Sequence, residues 1–141
     1  MIDGGDNQTM ALSNGNSVTI NGFKMEDRVS FLDYIFGGCE INVHVAIDFT
    51  LSNGEPRNPQ SLHYVNPRTQ SNAYTEAISS VMGILEEYDQ DKHFPVYGFG
   101  GKVPDCQAVS HCFALNGNIF SPECNGTAGI LSTYFSSLNR V

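Results

Sequence analysis

The sequence predicts an α/β fold, and three observations support that prediction. The apolar run Val43–Ile47 is typical of a strand that is buried in a sheet. Two later segments repeat apolar residues at intervals of three and four, as amphipathic helices do. The candidate elements follow one another as strand, helix, strand, strand, helix, and this order is characteristic of α/β domains.

The length and charge of the chain limit the classes of function that it can have. The chain has 141 residues, enough for one domain with its own core. Its 7 Lys and Arg against 15 Asp and Glu give a net charge of −8, with no cluster of cations. Direct binding of nucleic acid, or of anionic lipid through a basic surface, is therefore not expected.

The N-terminal segment contributes little apolar surface. Residues 1–18 are rich in Asn, Ser and Gly, which predicts a flexible lead. They lack the basic start and apolar run of a signal peptide. Ser17–Ile20 is a short β-prone run, and the Asn21–Gly22 pair after it predicts a turn.

The first long element is a strand, and a helix follows it. Glu40–Asp48 alternates and then becomes continuously apolar, which predicts a strand buried toward its C-terminal end. The polar insertion Ser52–Ser71 comes next. The helical periodicity of apolar residues over Ala73–Tyr88 then predicts a helix, with Asn72 as its N-cap. Gly83 within this helix costs about 1 kcal/mol relative to Ala, so we expect close packing on the sheet there. The predicted apolar stripe is Tyr74, Ala77, Ile78, Val81, Leu85 and Tyr88.

The remaining elements are two strands and a second helix. Phe94–Gly100 and the shorter Val109–Leu115 are the candidate strands, and Thr127–Leu138 is the candidate helix. The apolar face predicted for that helix is Ile130, Leu131, Tyr134, Phe135 and Leu138.

Three oxygen-bearing residues directly follow the first buried strand. Ligands of open α/β sheets bind beyond the carboxyl ends of the strands. Asp48, Thr50 and Ser52 alternate there, so an extended turn would point their side chains to one side. One carboxylate and two hydroxyls form an oxygen-only set that suits Mg²⁺ or Mn²⁺ and suits zinc poorly. An ion held by a single carboxylate could also accept an acidic group from a partner.

Several alternatives fit this motif less well. An Asp-x-Thr-x-Ser pattern also occurs by chance in turns. Counted from Asp48, Gly54 is seventh and Pro59 twelfth, which does not match an EF-hand loop. A haloacid-dehalogenase-type nucleophile would need a second Asp where Thr50 stands.

An Asp48-dependent hydrolase or phosphotransferase on a Rossmann-like sheet is the second hypothesis, but the turn contains no His, Lys or Glu to act as a base. We therefore expect no enzymatic activity.

The cysteines and the other histidines point to no second centre. Cys106, His111, Cys112 and Cys124 match no standard zinc spacing. We therefore expect these three cysteines, and Cys39, to be buried or half-buried free thiols in a reducing cytosol. His63, His93 and His111 are interpreted as loop or strand-end residues.

Several short sequence motifs occur in a fixed order along the chain, and they resemble those of a known family. The sequence resembles the copines over about residues 30–141. The motifs that support the resemblance are Ser30–Ile35, Gly37–Gly38, Val45–Thr50, Ser52–Gly54, Ser61–Tyr64, Asn72–Tyr74, Tyr88–Asp89, Asp91–Lys92, Phe94–Pro95, Gly98–Gly100 and Val109–His111.

The resemblance implies a domain organisation. Copines carry two C2 domains, which bind phospholipid when Ca²⁺ rises, followed by a von Willebrand factor A-type domain that recruits protein partners. By this comparison residues 1–30 are a flexible lead and the remnant of a C2 domain's last strand, within Ser17–Lys24. Residues 31–141 are the N-terminal part of the A-type domain, with a Rossmann-like, doubly wound, mostly parallel sheet truncated in its C-terminal half.

The resemblance also implies a site and a cellular role. It makes Asp48, Thr50 and Ser52 the first part of a metal-ion-dependent adhesion site for Mg²⁺ or Mn²⁺, while Ca²⁺ belongs to the C2 domains that this sequence lacks. A further Thr, in a Gly-Pro-Thr-Asn segment, and a further Asp would come from later loops. We expect a cytoplasmic protein that moves to the plasma membrane when Ca²⁺ rises, with protein partners at the A-type domain and phospholipid at the C2 domains. A plant-type ubiquitin ligase with a similar domain would need a RING segment, which this sequence lacks.

The implied truncation has a physical consequence. The strand that ends at Asp48 would lack a neighbour on one side, and an open strand edge promotes association. We therefore expect the fragment to self-associate, to unfold without a sharp transition, and not to bind phospholipid vesicles in a Ca²⁺-dependent way.

Overall fold

The computed structural model describes residues 8–21, 27–104 and 106–141. The chain divides between Cys39 and Glu40 into two compact units. Along the described residues, no helix combines the length and the apolar character needed to cross a membrane.

A β-hairpin lies in the first unit. Strand β1 (Gln8–Ala11) pairs antiparallel with β2 (Ser17–Ile20), and Met10 lies opposite Val18. The strand expected at Ser17–Ile20 is confirmed, whereas the flexible lead expected over residues 1–18 is wrong for Gln8–Ala11. The Asn, Ser and Gly residues form the connecting turn instead, in which Gly15 has φ 82° and donates to the Leu12 carbonyl at 3.1 Å. Residues 1–7, and Gly22 of the expected turn, lie outside the described residues.

A short helix also belongs to the first unit. Helix α1 (Phe31–Phe36) begins at Ser30, whose main-chain N donates to Asp33 Oδ2 at 2.7 Å. Ser30 Oγ in turn accepts from the Asp33 main-chain N, which completes a capping box. The helix was not predicted from the sequence, although Ser-x-x-Asp before apolar residues is its signal.

The second unit contains a four-stranded mixed sheet. Strand β3 (Val45–Asp48) runs parallel to β4 (His93–Phe99), with Asp48 opposite Phe99. The two short strands β5 (Phe113–Ala114) and β6 (Glu123–Asn125) both pair antiparallel with β4. The α/β class is therefore confirmed. The described strands of this sheet make one parallel and two antiparallel pairings, so the sheet is mixed and not mostly parallel as was expected.

Two helices pack with this sheet. Helix α2 (Ala73–Leu85) continues as a 3₁₀ turn, Glu86–Tyr88, and helix α3 (Gly126–Ser137) follows β6 directly. The cap at Asn72 is confirmed, because its side chain accepts from the Thr75 main-chain N at 2.9 Å. The core members are Ile47, Ile78, Met82, Phe94, Val96, Leu115, Cys124, Ile130 and Tyr134.

Helix α2 is rotated relative to the predicted stripe. Its buried residues are Thr75, Ile78 and Met82, whereas Ala77 is exposed and Val81 is 54% exposed. Apolar patterning missed Thr75 because its hydroxyl is satisfied within the cap, where it donates to the Asn72 carbonyl at 2.9 Å. The close packing expected at Gly83 is also wrong, since a Cβ there would meet nothing within 4 Å.

Candidate metal centre at the end of β3

Strand β3 delivers Asp48 to the carboxyl edge of the parallel pair. The strand pairing continues one residue further, where the Phe49 main-chain N donates to the Phe99 carbonyl at 2.8 Å. The next residue, Thr50, packs directly against the main chain of Gly100, which has φ 74°. A Cβ at Gly100 would lie 2.4 Å from Thr50 Cγ2, so only glycine leaves room for this contact.

The turn after Asp48 is tight, not extended as the sequence suggested. Asp48 Oδ1 accepts from the Thr50 main-chain N at 2.8 Å. Thr50 begins a 3₁₀ turn, Leu51–Asn53, whose last residue donates its main-chain N to the Thr50 carbonyl at 3.0 Å. The hydrogen bond that the Thr50 N–H donates to the carboxylate favours this turn, because it gives that N–H group a partner.

The tight turn nevertheless brings the two hydroxyls together. Thr50 Oγ1 and Ser52 Oγ lie 3.0 Å apart and share a hydrogen bond. An octahedral Mg²⁺ has oxygen ligands at about 2.0–2.1 Å, so two adjacent ligands lie about 2.8–3.0 Å apart. The spacing of the hydroxyls therefore fits two neighbouring positions around such an ion.

The Asp48 carboxylate supplies the negative charge of this turn. The hydrogen bonds from the Thr50 main chain and side chain hold the pKa of Asp48 below its ordinary value. The group is therefore ionised at neutral pH, as a metal ligand must be. Asp48, Thr50 and Ser52 thus lie within one turn, as the sequence predicted, and their role as metal ligands stays a prediction.

The chemistry of the set decides which ions it suits. Among the described residues, no group of three or more His, Cys, Asp or Glu side chains is placed to hold a metal ion. One carboxylate with two hydroxyls is not such a group, and this composition suits a hard ion that keeps several waters, such as Mg²⁺. Cys124 is buried, whereas Cys39, Cys106 and Cys112 are exposed, so the expectation of buried or half-buried thiols is wrong for these three.

A buried histidine lies directly behind Asp48. The His63 ring is 1% exposed and stacks between the rings of Phe49 and Tyr74, with centroid distances of 4.9 Å and 4.4 Å. Its Nε2 lies 2.9 Å from the Asp48 main-chain carbonyl, and its Nδ1 lies 2.9 Å from the Tyr134 hydroxyl. His63 lies in a loop, as the sequence predicted, but the loop folds inward at this point and buries the ring, which the sequence did not predict.

The partners of His63 determine where its proton lies. A main-chain carbonyl only accepts, so Nε2 carries the hydrogen and Nδ1 accepts from the Tyr134 hydroxyl. The Tyr134 oxygen in turn accepts from Asn72 Nδ2 at 3.0 Å. Burial lowers the pKa of His63 below its ordinary value, which agrees with a neutral ring. Burial also raises the pKa of Tyr134, which stays protonated and able to donate.

The Asp48 carbonyl accepts from three side chains at once. Besides His63 Nε2, the Tyr74 hydroxyl donates to it at 3.0 Å and Asn53 Nδ2 at 3.2 Å. Both ring nitrogens of His63 are occupied, and neither contacts the Asp48 carboxylate. His63 is therefore not placed to act as a base for Asp48-dependent catalysis.

One comparison with known proteins places the chain. Residues 61–141 match the family model described as Copine. The match covers more than half of the chain and includes His63, α2, β4 and α3, while Asp48, Thr50 and Ser52 precede it. The chain therefore belongs to the copine family.

Proposed function

We propose that residues 31–141 are the N-terminal part of a von Willebrand factor A-type domain that binds protein partners. In this proposal Asp48, Thr50 and Ser52 form part of a metal-ion-dependent adhesion site for Mg²⁺ or Mn²⁺. The observation that supports it best is the convergence of the Thr50 and Ser52 hydroxyls, 3.0 Å apart, in the turn closed by the Asp48 carboxylate.

The charge balance of the set suggests what the partner offers. The bound ion would supply a positive charge of which Asp48 neutralises only part, because the other two ligands are neutral hydroxyls. An acidic side chain of a partner protein is the group that complements such a site. We therefore propose a carboxylate-bearing protein surface as the partner class.

Membership of the copine family supports a proposal for the role of the whole protein. We propose a cytoplasmic protein that binds phospholipid through C2 domains in a Ca²⁺-dependent way and reaches the plasma membrane when Ca²⁺ rises. In this proposal the A-type domain then presents its protein partner at the membrane.

Calorimetric titration of the chain with Mg²⁺ and Mn²⁺ tests the proposal. We expect Asp48→Asn to abolish binding, because it removes the only charge of the set. Asp91→Asn is the matched control, because Asp91 Oδ1 likewise accepts a main-chain hydrogen bond two residues on, from His93 at 2.9 Å. Equal metal binding by the parent and Asp48→Asn would contradict the proposed site.

A second assay separates this function from the hydrolase hypothesis. An Asp48-dependent hydrolase or phosphotransferase would turn over a generic phosphate ester, and Asp48→Asn would abolish that turnover. We expect no turnover from either protein, because both ring nitrogens of His63 are already hydrogen-bonded.

A further inference from the structure

We propose that His63 is a positioning residue for the candidate metal site, because it ties the Asp48 main-chain carbonyl to helix α3 through Tyr134. The inference deepens the proposed function, since the site that it serves is the one proposed above. It rests on hydrogen bonds and stacking, and it assigns His63 no contact with the metal or the partner.

Stacking and hydrogen bonds hold the His63 ring in place. The Phe49 and Tyr74 rings lie nearly parallel to the imidazole, at interplanar angles of 9° and 8°. Both ring nitrogens have hydrogen-bond partners at 2.9 Å. Rotating the ring would break both hydrogen bonds and the two stacking contacts, so it holds one orientation in the core.

The His63 ring in turn holds the Asp48 carbonyl, and this affects the turn that follows Asp48. The direction of the Asp48 carbonyl depends on the ψ angle of Asp48, and the same angle sets the path of the chain into Phe49 and Thr50. A donor that fixes the carbonyl therefore also fixes where the Thr50 N–H meets the Asp48 carboxylate, 2.8 Å away. The direction of the three candidate ligands thus depends on a residue that is not one of them.

The hydrogen bonds of His63 continue to Tyr134 and Asn72. Tyr134 is fully buried on α3 and lies 71 positions from His63 in sequence. Asn72, the cap of α2, donates to the Tyr134 hydroxyl and to the His63 carbonyl, at 3.0 Å and 2.9 Å. The position of the Asp48 turn is thereby linked to the start of α2 and to the C-terminal half of α3.

Two substitutions of His63 separate its two hydrogen bonds. In His63→Gln the longer side chain places an amide donor where Nε2 lies, so it can still reach the Asp48 carbonyl. In His63→Asn the shorter side chain offers an acceptor to Tyr134 but does not reach Asp48. Both variants lose the ring that stacks between Phe49 and Tyr74, so each is the matched control for the other.

The test measures Mn²⁺ affinity of the full chain by electron paramagnetic resonance, together with hydrogen exchange of the Thr50 amide. We expect His63→Asn to weaken Mn²⁺ binding by about 10-fold or more, the usual effect of removing a group that orients a ligand, and to speed exchange at Thr50. His63→Gln should restore both values toward those of the parent. Tyr134→Phe removes only the hydroxyl and keeps the hydrogen bond from His63 to Asp48, so it should change both values no more than His63→Gln does, and circular dichroism checks that each variant folds.

The measurements on the His63 variants can contradict the positioning role of His63 in two ways. Equal Mn²⁺ affinity and equal Thr50 exchange in the parent and His63→Asn would overturn it. Equal losses in the Asn and Gln variants would also overturn it, because His63 would then act only through packing. If the parent itself binds no Mn²⁺, the proposed function fails, and the exchange of Thr50 alone decides whether His63 positions the turn.

Discussion

The Glu86 carboxylate caps helix α3 from a different element of the fold. Its Oε2 accepts from the Thr127 main-chain N at 3.0 Å and also from the Thr127 hydroxyl. Asn125, which precedes the helix, makes no side-chain capping hydrogen bond. The start of α3 is therefore stabilised by the 3₁₀ turn that ends α2, and this contact joins the two helices.

Glu86→Gln should lower the thermal stability of the chain. The variant keeps the size of the side chain but removes a negative charge from the positive end of a helix dipole. Glu87→Gln is the control, because the Glu87 side chain is 76% exposed and lies 3.9 Å from Lys92 Nζ. Thermal unfolding followed by circular dichroism should show a lower midpoint for Glu86→Gln alone, and equal midpoints for the two variants would show that the cap does not matter.

The same carboxylate should make stability depend on pH. The hydrogen bonds from Thr127, with a smaller effect of Lys92, hold the pKa of Glu86 below its ordinary value of 4.5. The folded state therefore binds this proton less readily than the unfolded state does. The contribution to stability is present above about pH 4.5 and is lost as the pH falls through the folded-state pKa. The stability difference between the parent and Glu86→Gln should shrink over that range, and a constant difference would refute the assignment.

Gly83→Ala should stabilise the protein by about 0.5–1 kcal/mol, because it reduces the entropy of the unfolded chain in an exposed stretch of α2. A Cβ at this position meets nothing within 4 Å. Gly98→Ala is the opposite case, since its Cβ would lie 2.4 Å from Phe113 Cζ. Chemical denaturation should therefore move the two midpoints in opposite directions. Destabilisation by Gly83→Ala would show that α2 packs against the sheet at this point after all.

The open edge of β3 should promote self-association of the chain. Along the described residues β3 pairs with β4 alone, and Ala46 on this strand is exposed. A lysine at a strand edge opposes pairing with a second copy. Sedimentation should show larger species for the parent than for Ala46→Lys at high concentration, and a strictly monomeric parent would contradict the expectation.

The elements with a long periodic pattern were predictable from the sequence. Asn72 and the helix after it, β4 and α3 lie within a few residues of their predicted bounds. Strand β6 was missed because Glu123–Asn125 contains one apolar residue, and its pairing with β4 gives no local signal. The buried face of α2 was mispredicted because a hydrogen-bonded Thr75 can replace an apolar residue in the core.

The candidate site was predictable only in part. The spacing of Asp48, Thr50 and Ser52 after a buried strand was enough to predict that the three residues share one turn, and their role as ligands stays a prediction. His63 was missed because it sits in a polar insertion without periodicity, and its partner Tyr134 lies 71 positions away. Contacts between residues so far apart in sequence depend on how the helices pack, and the pattern of apolar residues does not reveal that packing.

The most direct test of the central claim is a Mn²⁺ titration followed residue by residue in the amide NMR spectrum. Paramagnetic Mn²⁺ broadens the signals of nearby nuclei, so the broadened residues locate the ion. We expect broadening to centre on residues 48–53, to persist in Asp91→Asn and to vanish in Asp48→Asn. Broadening that centres on another acidic segment, or that survives Asp48→Asn, would contradict the assignment of the metal site.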